Sequence, residues 1–202
     1  DLEQLGISNI IGGLSSSAGS LTAFDLDGTT MTLDVNMIGA TNKFLGDIYA
    51  DNFTGLYNFT GGTNSFTIQV DPTNTYSSDG SDQNVAVTGS SNTFTLNQGT
   101  TAIAASLNLD WIIQGSNNTI TSNINIDGAT NYVDIDGSDN TLNYNASAGG
   151  YFYLDHTGGQ RTFNIQQLST QDNDWLKILS VGGNASSTVC VIQNDQGTST
   201  SC

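Results

Sequence analysis

Trp111-Ile-Ile-Gln-Gly115-Ser-Asn-Asn118-Thr-Ile120 holds one copy of a phrase, Gly-x-x-Asn followed by alternating apolar residues, that returns along the chain. Gly39-Ala-Thr-Asn42, Gly61-Gly-Thr-Asn64, Gly89-Ser-Ser-Asn92 and Gly137-Ser-Asp-Asn140 are further copies, at intervals close to 22 residues. A period of this length means that each unit is one supersecondary element. Such a unit cannot bury its apolar face alone and must stack on its neighbours.

Aligning the copies on the turn glycine brings the flanking residues into columns. Two places before it stand Met37, Phe59, Val87, Ile113, Ile135 and, before the variant Gly158-Gly-Gln-Arg161, His156. Four places before it stand Val35, Tyr57, Val85, Trp111, Val133 and Leu154; two places after the Asn come Phe44, Phe66, Phe94, Ile120, Leu142 and Phe163. Polar residues such as Asp34, Asn58, Thr93, Asp110 and Asp134 lie between them, so each segment alternates with the period of two of a half-buried strand.

A second turn series precedes the first by nine to eleven residues, as in Gly28-Thr-Thr-Met31, Ala50-Asp-Asn-Phe53 and Gly128-Ala-Thr-Asn131. Each rung therefore has two strands and two turns, with Gly and Asn supplying the positive φ of tight corners. Insertions near residues 71–79 and 98–105 stretch the interval to 28 and 26 residues and read as lateral loops. The expected fold is all-β: a β-solenoid of about seven two-strand rungs, on the order of 35 Å long. A β-sandwich or jelly roll also has short strands and Gly and Asn turns, but it does not place one residue class at a fixed offset from a turn six times over.

Three segments are expected. Residues 1–20 form an arm, a short helix or extended, whose Leu2, Leu5, Ile10, Ile11 and Leu14 are the candidate assembly contacts. Residues 21–174 form the solenoid. Residues 175–202, where the repeat degrades, form a cap or a connector between subunits. The stacked ends of a solenoid expose strand edges, which natural solenoids cap or use for assembly.

Three basic residues against nineteen acidic ones give a net charge of −16. That balance argues against nucleic acid, whose phosphates need basic partners, and against an anionic bilayer surface. No apolar run approaches a membrane span. Asp1, in place of an initiator Met, fits a chain whose secretion signal has been removed, as it fits a partial chain, and an extracellular location is expected. Cys190 and Cys202 can make one disulfide, worth about 2 to 3 kcal/mol and implying an oxidising compartment; the alternative is two buried thiols.

The phrase and its 22-residue, two-strand unit resemble the curlin repeat of bacterial curli subunits and of curlin-like proteins of other microbes and phages, over roughly residues 28–165. Curlins carry glutamine two places before the turn glycine; here that place is mostly apolar, and Gln114 sits one residue out of register. The resemblance implies a solenoid with an extracellular, self-assembling role, without a glutamine ladder.

Catalytic equipment is sparse. His156, the only histidine, falls in an inward column, as does Trp111, so both read as core and no enzyme activity is expected. Asp25 and Asp27, and Asp134, Asp136 and Asp139, put oxygen ligands at alternate places entering turns. These are the candidate calcium sites, although the twelfth-position Glu of an EF-hand is missing and solvated carboxylates are the plainer reading. No other cofactor is expected. Asn-x-Ser/Thr sequons at Asn52, Asn58, Asn117, Asn145 and Asn184 are weak signals in so Asn- and Thr-rich a chain.

The leading functional expectation is a non-enzymatic structural subunit of a secreted filament or matrix, with other copies of itself as partner. The alternative is a virion-surface fibre or adhesin that binds host glycans or receptors through lateral loops.

Overall fold

The computed structural model describes residues 2–8, 10–14, 21–22, 24–70, 80–99, 104–147, 150–168 and 175–193. They form a parallel β-solenoid without helix. One sheet stacks Leu2–Ile7, Met31–Ala40, Phe53–Thr60, Ser81–Thr88, Leu107–Gln114, Ala129–Asp136, Gly150–Gly158 and Trp175–Gly182. The other stacks Ile10–Ile11 and Phe24–Asp27, both on Lys43–Tyr49, and then Ser65–Val70, Thr93–Gln98, Thr119–Ile124, Asn140–Ala146, Arg161–Gln167 and Thr188–Gln193.

Six complete turns, from Met31 to Gln167, thus lie between a terminal rung at each end. The expected count of about seven rungs is close, and both segments set apart as arm and cap contain strands of the stack. Leu2–Ile7 is no helix: it pairs in parallel with Val35 to Ala40, setting Gly6 against Gly39. Trp175–Gly182 continues the other end, with Gly182 against Gly158. The physical reason is legible in Gly6-Ile-Ser-Asn9, a sixth copy of the phrase, whose Gly6 and Ser8 take the positive φ values of the other corners.

The inward columns pair in register as aligned. Val35 lies against Tyr57, Tyr57 against Val85, Val85 against Trp111, Trp111 against Val133, and Val133 against Leu154. All six are buried. On the facing sheet the Phe44, Phe66 and Phe94 rings stack with centroids 4.6 and 5.2 Å apart, and Trp111 meets Phe94 edge-on at 5.0 Å. Such ring contacts add about 0.5 to 1.5 kcal/mol each beyond the apolar area that they bury.

Insertions are confined to the second corner. The 98–105 segment contributes Ala104–Ala105, which pairs with Ile126–Asp127 outside the main sheets; residues 71–79 lie outside the described residues. In the first rung, Gly13–Leu14 and Leu21–Thr22 pair antiparallel between the Ile10–Ile11 and Phe24–Asp27 strands.

Candidate functional site

The first corner shows what the repeated phrase does. Each Asn is buried and reaches one rung back along the stack. Asn64 Oδ1 accepts the Asn42 N–H at 2.9 Å while its Nδ2 donates to the Gly39 carbonyl at 3.1 Å. Asn92 repeats this with Asn64 and Gly61, Asn118 with Asn92 and Gly89, and Asn140 with Asn118 and Gly115, all between 2.9 and 3.0 Å. Serines at the second place of the phrase add a parallel ladder: Ser90 Oγ accepts the Ser116 N–H and Ser116 Oγ that of Ser138. The positive φ that the sequence suggested for the Asn instead falls on the residue before it, as at Thr63 (61°), Ser91 (62°) and Asn117 (59°). The Asn is thereby free to turn inward as a clamp.

The ladder stops at Arg161, whose Nη1 donates forward to the Gly182 carbonyl at 2.8 Å. His156 sits buried beside it, its Nδ1 2.9 Å from Ser180 Oγ and its ring edge-on to Phe163. Burial, and then the Arg161 charge, push the imidazole below its ordinary pKa. It is a packed neutral ring, as its column implied.

The two outer faces differ. On the first sheet, carboxylates crowd: burial, then Asp136, Asp155 and Asp110, push Asp134 above the usual carboxylate range. Beside them runs an exposed ring ladder, with Tyr132 stacked on Tyr153 at 5.2 Å and 6°, Tyr153 nearly parallel to Trp175, and Lys177 Nζ 5.0 Å from the Tyr153 centroid. On the second sheet the outward places hold hydroxyls and amides. Thr93, Thr119, Thr141 and Thr162 fall in one column, and Thr67, Thr95 and Thr121 in the next. Asn97, Asn123 and Asn145 form a third, their amides joined at 2.8 Å.

The calcium candidates are not drawn together. Asp25 and Asp27 alternate outward on one strand, with Asp25 opposite Asp47. Asp134 and Asp136 share an outer face, and Asp139 occupies the exposed turn at φ 60°. Among the described residues no three His, Cys, Asp or Glu side chains are grouped to hold a metal ion. Period two sets the Cα atoms of the two strand residues of each candidate about 6.7 Å apart. Asp47 lies above its ordinary pKa through burial, partly offset by the Gln69 amide and reinforced by Asp25.

The assembly candidates divide. Leu2 and Ile11 pack on the core, whereas Leu5 (62% exposed) and Ile10 point outward; Leu14 stands opposite Leu21. At the far end Val181 is 65% exposed, and Val189 and Val191, last of the inward columns that contain Phe163 and Ile165, are left partly bare. Cys190 has no free thiol; Cys202 lies outside the described residues.

Sequence reasoning missed the threonine columns because it aligned the inward places only. The signal was present in Thr93-Phe-Thr95 and Thr119-Ile-Thr121. Comparison with protein-family models, curated proteins and solved structures finds no match to this chain.

Proposed function

We propose that the chain is a non-enzymatic structural subunit of a secreted filament or matrix, in which copies stack end to end. The observation that carries this reading is the state of the rod ends. Among the described residues Leu2–Ile7 and Trp175–Gly182 are the two edges of one parallel sheet, and the inward columns run to both. Val189 and Val191 expose apolar surface at one end, while Leu2 and Ile11 close the core at the other. A second copy added in parallel would supply backbone hydrogen bonds to an open edge and cover those side chains.

The curlin-like kinship and the extracellular location belong to this reading, as does a Cys190–Cys202 bridge tying down the C-terminal tail. A net charge of −16 opposes contact between copies, so assembly strengthens as salt screens it. Negative-stain microscopy of the purified chain in rising salt tests the proposal. Rods much longer than about 35 Å, lost on Val191→Lys, support it; monomers at all salt concentrations overturn it.

A further inference from the structure

We infer that the outer face of the second sheet binds an ordered water lattice, the surface of an ice crystal. Thr93, Thr119 and Thr141 stand in register in one column and Thr67, Thr95 and Thr121 in its neighbour. Along a column the hydroxyls repeat at the strand spacing, about 4.8 Å, and across columns at two residues of strand, about 6.7 Å. The oxygen rows of ice repeat in two directions on the same scale. Threonine suits such a face because branching at Cβ holds χ1, so its methyl and hydroxyl keep their places without much ordering on contact. The neighbouring amide ladder through Asn97, Asn123 and Asn145 stiffens the array further.

Charge selects the occupant. The protein carries nineteen acidic residues, yet from Ser65–Val70 to Arg161–Gln167 no outward place within the second sheet, between Ser65 and Gln166, is charged. On the first sheet the same rungs present Asp82, Asp110, Asp134, Asp136 and Asp155. A neutral face of donors and acceptors matches a neutral lattice and offers nothing to an ion. Among the described residues it also lacks the aromatic and arginine side chains that anchor protein interfaces and the rings on which sugars stack; the exposed rings described lie on the opposite sheet. Many weak, equal contacts on a rigid repeat are of use only against a partner that repeats as well.

The test is the gap between melting and freezing points of a single ice crystal in a solution of the full chain, with the crystal's habit recorded. The expected result is a measurable gap and faceted growth. Thr121→Lys and Thr95→Tyr, in the middle of the array, should each reduce the gap at least roughly fivefold, with melting temperature and circular dichroism unchanged. Tyr132→Ala on the other sheet should leave it intact. No gap together with exclusion of the fluorescently labelled chain from growing ice overturns the inference. So does equal loss in all three variants, or a Thr121-dependent dimer or adsorption to crystalline cellulose in place of ice binding. None of the substitutions touches the rod ends, so polymerisation is read separately.

Discussion

The two corners of each rung are built on different terms. At the first, the same phrase recurs and each rung is locked to the one before by an amide on a glycine carbonyl. At the second, Asn52, Gly80, Ser106 and Gly128 all take a left-handed φ just ahead of the next strand and a backbone bond recurs where the chain leaves the previous one, as from Asn125 to Gln98 and from Ser147 to Ile124, but the insertions gather there. The glycines state the contrast most directly. A Cβ on Gly115 would collide with the Gly89 carbonyl beneath it, whereas one on Gly128 would meet nothing within 4 Å. One corner therefore sets the stacking distance and register for the whole rod. The other needs only to reverse the chain and can absorb added length.

The largest expected effect breaks that contrast if it fails. Gly115→Ala puts a side chain at φ 131° against backbone and should lower stability by about 3 kcal/mol or more. Asn92→Ala should follow closely: the buried Asn64 N–H and the Gly61 carbonyl lose their partners, at a cost of about 2 to 3 kcal/mol. Gly128→Ala meets only the strain of a left-handed φ, about 1 kcal/mol. Urea unfolding of the three variants provides the comparison, and equal losses at Gly115 and Gly128 would show that the corners share the work of holding register.

The smallest effect sharpens what happens where the ladder ends. His156 is held below its ordinary pKa by burial and then by Arg161. As pH falls through the unfolded value of about 6.5 the unfolded chain takes the proton first, so stability is full above that pH and declines below it, down to the folded pKa. Unfolding midpoints of the native chain and of His156→Phe, followed from pH 7.5 to 5.5, should diverge as the pH drops. Parallel curves would remove His156 from the account.

Much of the rod could be read from residue patterns because they obey two periods at once. Met37, Phe59, Val87, Ile113 and Ile135 stand at one offset from a glycine, and only a stacked coil makes a fixed offset into physical contact. The terminal rungs were harder to see. At Leu2–Ile7 the phrase Gly6-Ile-Ser-Asn9 is present, but the first rung reaches Met31 only after an antiparallel excursion, which hides the 22-residue spacing. At Trp175–Gly182 the Asn place after Gly158 had already become Arg161, so the phrase that marks the count had disappeared before the stack did. The carboxylates show the other limit of sequence reading: Asp134 and Asp136 alternate along one strand, and only the register sets Asp134 beside Asp155 of the next rung.

The amino-acid sequence by itself determined the repeat, the inward columns and the places of His156 and Trp111 in them, since alternation and spacing are local properties. Only the tertiary structure decided what the Asn of the repeated phrase is for and which outward residues share a face. The Asn partners lie 22 to 36 residues away, on the neighbouring rung, and Thr95 meets Thr121 across an interval that the 98–105 insertion lengthens to 26 residues. Contacts across rungs depend on register, and register is settled by the stacked glycines of the first corner.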